Sequence, residues 1–149
     1  MIADAVFAYL HYAAILTLAS ALGAEALLLR AEPGAATVRA LVRADVLYGI
    51  SAGVVLVSGL LRLFLGAKGA GFYASNPVFW AKMALFALIA LMSIPATVRI
   101  VRWRRTLRTD PRFIPSAAEI QATRRLVFAE SHVLALIPLA AVFMARGMG

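Results

Sequence analysis

Four long apolar segments are the feature that most constrains how this chain can fold. They cover about residues 4–29, 44–65, 77–101 and 120–145, and each is long enough to cross a bilayer as a helix, which takes roughly 20 residues. Hydrophobic residues make up 63% of the 149-residue chain, against about 45–50% in soluble domains. The connections are too short for a separate domain. We therefore predict an all-α chain with one domain, residues 1–149, folded as an integral-membrane four-helix up-down bundle.

Basic residues are distributed unevenly between the two ends of the predicted bundle. One group lies around the first and third connections: Arg30, Arg39, Arg43, Arg99, Arg102, Arg104, Arg105, Arg108, Arg112, Arg124 and Arg125. The other end has only Arg62, Lys68, Lys82 and Arg146. The positive-inside rule places the arginine-rich connections in the cytoplasm and both termini on the outer (periplasmic) side of a bacterial inner membrane. Topology and contact with anionic lipid explain the net charge of +8, so we expect no nucleic-acid partner.

Local signals mark the ends of the helices. Asn76 can cap the third helix, and Pro77 suits its first position. Ser116 and Glu119 match the capping box that opens a helix, here the fourth. The amphipathic segment before residue 44 is compatible with an earlier start of the second helix, near Ala36. The first apolar segment lacks a basic n-region and a clear cleavage site, so we expect it to be a retained helix.

Lys82 is the most unusual residue in these segments, because it lies inside the third apolar segment. A charge in a bilayer is costly and usually faces a partner or a polar cavity. At 1.5 Å per residue, Lys82 and His11 lie about 8 and 10 Å inside their helices from the outer end, and Arg62 falls in the same layer. The alternatives are that His11 only bonds a neighbouring carbonyl, and that Lys82 and Arg62 extend to the interface.

Four further ionisable residues lie deeper or nearer the cytoplasmic end. Glu25 and Asp45 are expected to pair with the arginines around the first connection, and Glu130 with the arginines that begin its own helix. Glu130 and His132 point about 160° apart on a helix, so only one of them can face the bundle interior. We expect His132 to be the residue that faces inward.

The outer residues suggest a haem-type site. A neutral histidine in a membrane bundle is a natural ligand for haem iron, and the haem propionates favour arginine and lysine near the interface. We predict haem b as cofactor, with His11 as the metal ligand and Arg62, Lys82 and His132 as further cofactor contacts. A metal site without haem is less favoured, because the chain has two histidines and no cysteine.

Several stretches resemble a known family. AYLHYAAILTL, RADVLYG, SGLLRLFLGAKGAGFYASNPVFWAKMALF and the SIPAT–RW segment resemble a small bacterial family of predicted inner-membrane proteins of unknown function. More distantly, the chain is similar to HemJ-type protoporphyrinogen oxidases and to copper-resistance D-like membrane proteins. The shared features are His11 and the order Pro77, Trp80, Lys82. HemJ-type proteins are four-helix proteins associated with b-type haem, so the resemblance implies functional roles for His11 and Lys82. The chain departs from their P-x-x-H-x-K motif at Trp80, which replaces the histidine.

We therefore predict a bacterial inner-membrane protein with a haem, porphyrin or redox-related site between helices in the outer half of the bilayer. One alternative is a small transporter that handles an ion or proton. It requires an aqueous path from Glu25 and Asp45 to His11 and Lys82. Another alternative is a non-catalytic accessory subunit, or a homo-oligomer, that associates through the small-residue faces of the second helix. No nucleophile–base pair, Walker loop or Rossmann glycine pattern is present, and whether the protein is an enzyme stays open.

Overall fold

Four long helices make up the structure. This computed structural model describes residues 2–65, 71 and 74–146. The helices are α1 (Ile2–Leu28), α2 (Ala35–Leu65), α3 (Pro77–Thr109) and α4 (Ala117–Ala145). All four are long and apolar enough to cross a membrane. The predicted all-α, four-helix membrane architecture is thus confirmed.

Two helices extend by eight or more residues beyond their predicted apolar segments. α2 begins at Ala35, close to the early start that its amphipathic first turns predicted. α3 continues past residue 101 to Thr109, because the arginine-rich segment that follows has good helix propensity. Asp110, the residue that follows the helix, has extended backbone angles. The next residue is Pro111, and proline disfavours helical angles in the residue before it.

The two predicted helix caps are present. The Asn76 side chain accepts hydrogen bonds from the backbone N–H groups of Val78 at 2.8 Å and Phe79 at 3.4 Å. The Ser116 hydroxyl accepts the backbone N–H of Glu119 at 3.3 Å. Each cap satisfies donors that the first turn of a helix leaves without partners.

The helices pack as two hairpins. α1 lies along α2 and α3 lies along α4, with narrower contacts between α2 and α3 and between α1 and α4. The helices therefore follow one another around the bundle in chain order. The core includes Leu22, Ile100, Trp103 and Val127, all nearly inaccessible.

Large apolar side chains cover the outer surface of the bundle. Leu16, Ile50, Leu91 and Leu136 are among the many that are exposed, as expected of a surface that meets lipid. Four crossings return the chain to the side on which it began. Whether both termini lie on the periplasmic side stays a prediction from the arginine distribution. Lys68, one of the basic residues counted on the outer side, lies outside the described residues.

Candidate functional site

His11 joins α1 to α2 near the end of the bundle that the arginine distribution predicts to be the outer one. Its Nδ1 lies 3.0 Å from the Ser58 hydroxyl, and the ring packs against Gly59, where an added Cβ would lie 3.2 Å from Cε1. Ser58 is buried and His11 is half-buried. The two helices approach closely here because position 59 carries no side chain. The bond therefore holds the imidazole in one orientation at the helix–helix contact.

The hydrogen bonds around Ser58 define the tautomer of His11. The Ser58 hydroxyl lies 2.5 Å from the Val54 carbonyl oxygen, to which it donates its hydrogen. Its oxygen is then the acceptor for His11, so Nδ1 must carry a hydrogen. A neutral imidazole with its hydrogen on Nδ1 has a free lone pair on Nε2, and metal-binding histidines are commonly oriented by a hydrogen bond from the other ring nitrogen.

Two cations lie beside this histidine. Arg62 and Lys82 are both near enough for their charges to act on the imidazole, and Arg62 also acts on Lys82. The Arg62 guanidinium lies 5.4 Å from the centre of the Tyr12 ring, a cation–π distance. His11, Ser58, Arg62 and Lys82 therefore form one group from three helices, which we call the outer cluster. The structure brings together the three residues that the sequence placed in one layer.

Arg62 and Lys82 of the outer cluster form no ion pair with the acidic side chains that the structure describes. The one ion pair among those described side chains joins Arg102 to Glu119 at 2.5 Å. Arg62 and Lys82 are both half-buried. Such an arrangement favours binding of an anionic group.

A second polar group lies at the other end of the bundle. Tyr48 of α2 donates its hydroxyl hydrogen to Glu130 of α4, and Thr97 of α3 donates to Asp45 of α2 at 2.6 Å. Glu25 of α1 lies close enough for the charges of Asp45 and Glu130 to act on it. We call these five residues the inner cluster. All four helices contribute to it.

The expected ion pairs of the three acidic residues are wrong. Within the described part of the chain, no arginine forms an ion pair with Glu25, Asp45 or Glu130. Instead these side chains turn into the bundle, where only 3%, 8% and 1% of their surfaces are accessible. The arginines around the first connection point outward, because long basic side chains keep their heads in water.

The expectation that His132 faces inward is also wrong. His132 is exposed, and its Nδ1 bonds the Phe128 carbonyl of its own helix at 2.7 Å. Glu130 takes the interior position, because the Tyr48 hydroxyl provides a donor there. His132 therefore points away from the bundle interior, and its predicted contact with a cofactor stays a prediction.

The two clusters occupy opposite ends of the membrane-spanning region. Asp45 and Arg62 are separated by seventeen residues of α2, which corresponds to about 25 Å along the helix axis. Leu18 of α1 lies midway between His11 and Glu25, and Ile89 of α3 lies between Lys82 and Thr97. Both are buried in the apolar core. Apolar packing therefore separates the outer from the inner cluster.

An apolar groove runs between α1 and α2 beside the outer cluster. Its volume is about 340 Å³, and its lining includes Phe7, Leu10, Gly53 and Ser58, the partner of His11. Volumes of this size are typical of small-molecule sites. No group of three or more histidine, aspartate, glutamate or cysteine residues in the described part of the chain could hold a metal ion. A metal at His11 would therefore need ligands from another source, such as a macrocycle.

Sequence analysis missed the hydrogen-bonding partners of the titratable residues. These partners are Ser58, Tyr48 and Thr97, and the sequence analysis gave none of them that role. A usable signal was present on α2. Tyr48, Ser51, Ser58 and Arg62 fall within about 80° of one another at 100° per residue, and a polar strip of that kind on an apolar helix must face the bundle interior.

The fold and the two clusters define the chain as an integral-membrane four-helix bundle with polar groups held in its interior. The chain belongs to the family described as "Predicted membrane protein (DUF2214)", whose model matches residues 3–149. This confirms the resemblance to a membrane family of unknown function. No curated protein and no solved structure matches the chain significantly. The distant resemblance to HemJ-type and copper-resistance D-like proteins therefore stays a prediction.

Proposed function

We propose that the outer cluster binds a haem or related porphyrin and that the protein has a redox-related role in the bacterial inner membrane. The observation that carries this proposal is the hydrogen bond from His11 Nδ1 to Ser58. It leaves Nε2 of a neutral histidine free as a ligand atom. The chemistry of the other residues agrees with the same ligand, because Arg62 and Lys82 are cations beside that histidine that form no ion pair with a described acidic side chain.

The residues present fit a haem in three respects. Nε2 of His11 would hold the iron. Arg62 and Lys82 would bind the propionates through charge-assisted hydrogen bonds. An apolar groove between α1 and α2 lies beside the cluster and offers apolar surface to the ligand, and Ser58 belongs to both the groove and the cluster. When bound, haem supplies one-electron chemistry, and the protein sets its potential through the ligand and the surrounding polarity.

Each residue of the outer cluster then has a separate task. Ser58 orients the imidazole and keeps a hydrogen on Nδ1, because its hydroxyl oxygen accepts there. Gly59 allows the ring to approach α2. Arg62 and Lys82 attract the anionic edge of the ligand and hold it at the outer interface. The apolar neighbours exclude water from the ligand.

The packing between the clusters supports a bound cofactor over transport through the bundle. The transport alternative requires an aqueous path from Glu25 to His11. Leu18 and Ile89, which lie between these layers, are each about 3% exposed. Movement of an ion along this line would require both side chains to swing away from closely packed neighbours.

A second candidate role, as a homo-oligomer or accessory subunit, has one observation in its favour. Gly49 and Gly53 of α2 are exposed, and nothing lies within 4 Å of a Cβ added at either position. They are four residues apart, the spacing that lets two membrane helices approach closely. Cross-linking of the protein in membranes, compared between the native chain and Gly53→Leu, tests this role.

The test of the cofactor proposal is a haem titration of the purified protein in lipid nanodiscs. The native chain is expected to develop a Soret band and sharpened bands after reduction, and His11→Ala is expected to lose both. His132→Ala is the matched control, since it removes the other histidine, which is exposed. Arg62→Gln and Lys82→Gln should each raise the Kd by about tenfold or more, because a charge-assisted hydrogen bond contributes about 1.5–3 kcal/mol.

Two results would overturn the proposal. One is a native protein that stays colourless with excess haem. The other is a His11→Ala variant that binds haem as tightly as the native chain and gives the same reduced spectrum. Circular dichroism of each variant checks that the four helices are still formed.

A further inference from the structure

The inner cluster poses a charge problem that the proposed function does not address. Glu25, Asp45 and Glu130 come from three helices and are almost fully buried. No arginine forms an ion pair with any of them among the described residues. Three ionised carboxylates without a paired cation would repel one another across the cluster, in buried surroundings that already disfavour charge.

The three carboxyl groups differ in their hydrogen bonds. Asp45 accepts from Thr97 at 2.6 Å, and Glu130 accepts from Tyr48. Oε1 of Glu25, by contrast, is buried without a hydrogen-bond partner among the described residues. Donors stabilise an ionised carboxylate, so Asp45 and Glu130 are each better prepared to carry a charge than Glu25.

We propose that the inner cluster is a proton-binding site, in which Glu25 holds a proton at neutral pH and exchanges it with the arginine-rich side of the membrane. Glu25 lies one helical turn from the end of α1, so the proton has a short route to water. The site is built from residues separate from the outer cluster. Its existence therefore does not depend on haem binding.

The groups that face the proton come from every helix of the bundle. α1 contributes Glu25 itself, and α4 contributes Glu130. α2 contributes Asp45 and Tyr48. α3 contributes the Thr97 hydroxyl and the Ser93 hydroxyl, which lies near Tyr48.

Arg99 of α3 is the one arginine close in sequence to these α3 hydroxyls. Its buried Nη1 has no hydrogen-bond partner among the described residues, and Arg99 forms no ion pair with Glu25, Asp45 or Glu130. In the proposal, the positive charge that the three carboxylates need is the proton on Glu25.

The experiment is infrared spectroscopy of the full chain in lipid bilayers at neutral pH. The C=O stretch of a protonated carboxylic acid is separate from that of an ionised carboxylate. The native chain is expected to have this band, and the band should shift in D₂O because the proton exchanges. Glu25→Gln is expected to remove most of the band. Glu32→Gln is the matched control, because Glu32 is exposed in the connection that follows α1, and it should leave the band unchanged.

A second variant keeps the proposal open to refutation if Glu25→Gln does not fold. Tyr48→Phe removes the donor to Glu130, which makes the ionised form of Glu130 less favourable, so the acid band should grow. A native protein without the band at neutral pH would overturn the proposal whatever the variants do. A band that persists unchanged in folded Glu25→Gln, or one that does not shift in D₂O, would overturn it as well.

Discussion

Gly59→Ala tests the contact on which the orientation of His11 depends. A Cβ at this position would lie 3.2 Å from His11 Cε1 and 3.7 Å from Nδ1. Carbon atoms pack best at about 3.5–4.0 Å, so the ring must retreat by a few tenths of an ångström. Since the Nδ1 to Ser58 distance is already 3.0 Å, this retreat lengthens the hydrogen bond.

The size of the effect follows from two opposing contributions. Losing a neutral hydrogen bond costs about 1 kcal/mol, while alanine is better than glycine in a helix by up to about 1 kcal/mol. Gly53→Ala on the same helix gains the second contribution alone, because nothing lies within 4 Å of its added Cβ. We therefore expect Gly59→Ala to be about 1 kcal/mol less stable than Gly53→Ala.

Reversible unfolding in mixed detergent micelles, followed by circular dichroism, measures this difference. The His11→Ala background provides the decisive comparison. Without the imidazole, the difference between the two glycine variants should vanish, because the interaction energy belongs to the His11–Gly59 pair. Equal stability of Gly59→Ala and Gly53→Ala in the native background would refute the contact.

Three other predictions concern the caps, the inner cluster and the topology. Asn76→Ala should lower the free energy of unfolding by about 1 kcal/mol through loss of the N-cap. Asn76→Asp keeps the hydrogen-bond acceptor and should lose less. Equal losses of stability in the two variants would contradict the cap. Thr97→Val should cost about 1–3 kcal/mol because Asp45 loses its donor, and Thr97→Ser should restore most of it. The chain has no cysteine, so Ser116→Cys and Arg146→Cys report topology. In intact cells an impermeant thiol reagent should label position 146 and not 116, and the reverse pattern would refute the predicted orientation.

The fold was largely predictable because membrane insertion leaves few choices. An apolar segment of bilayer length must satisfy its backbone hydrogen bonds internally, which makes it a helix. Asn76 and Ser116 carried clear cap signals, and both caps are present. The end of α3 was less predictable from hydropathy. A helix can continue beyond its apolar segment where the polar residues that follow have good helix propensity, and a hydropathy profile does not show such an extension.

The site was predictable in part. Depth along the helices placed His11, Arg62 and Lys82 in one layer, because rise per residue is nearly constant. The direction in which each side chain faces was harder to predict, because all sides of these helices are apolar and the periodic signal is weak. That weakness explains the wrong choice between Glu130 and His132. The choice depends on Tyr48, a residue eighty-two positions away in sequence.

The acidic residues were mispredicted for a related reason. Arginines near in sequence suggested local ion pairs for Glu25 and Asp45. The partner of Asp45 is instead Thr97 on another helix, and Glu25 turns towards carboxylates of two other helices. Helix order around the bundle decides such contacts, and sequence alone does not contain that order in readable form.

The central claim is that His11 is neutral, with its hydrogen on Nδ1 and a free lone pair on Nε2. Solid-state ¹⁵N NMR of histidine-labelled protein in bilayers measures this directly, since protonated and unprotonated ring nitrogens resonate apart. The chain has two histidines, so the His132→Ala variant leaves His11 as the only signal. We predict a protonated Nδ1 and an unprotonated Nε2 in the cofactor-free protein. A hydrogen on Nε2, or on both nitrogens at neutral pH, would contradict the account.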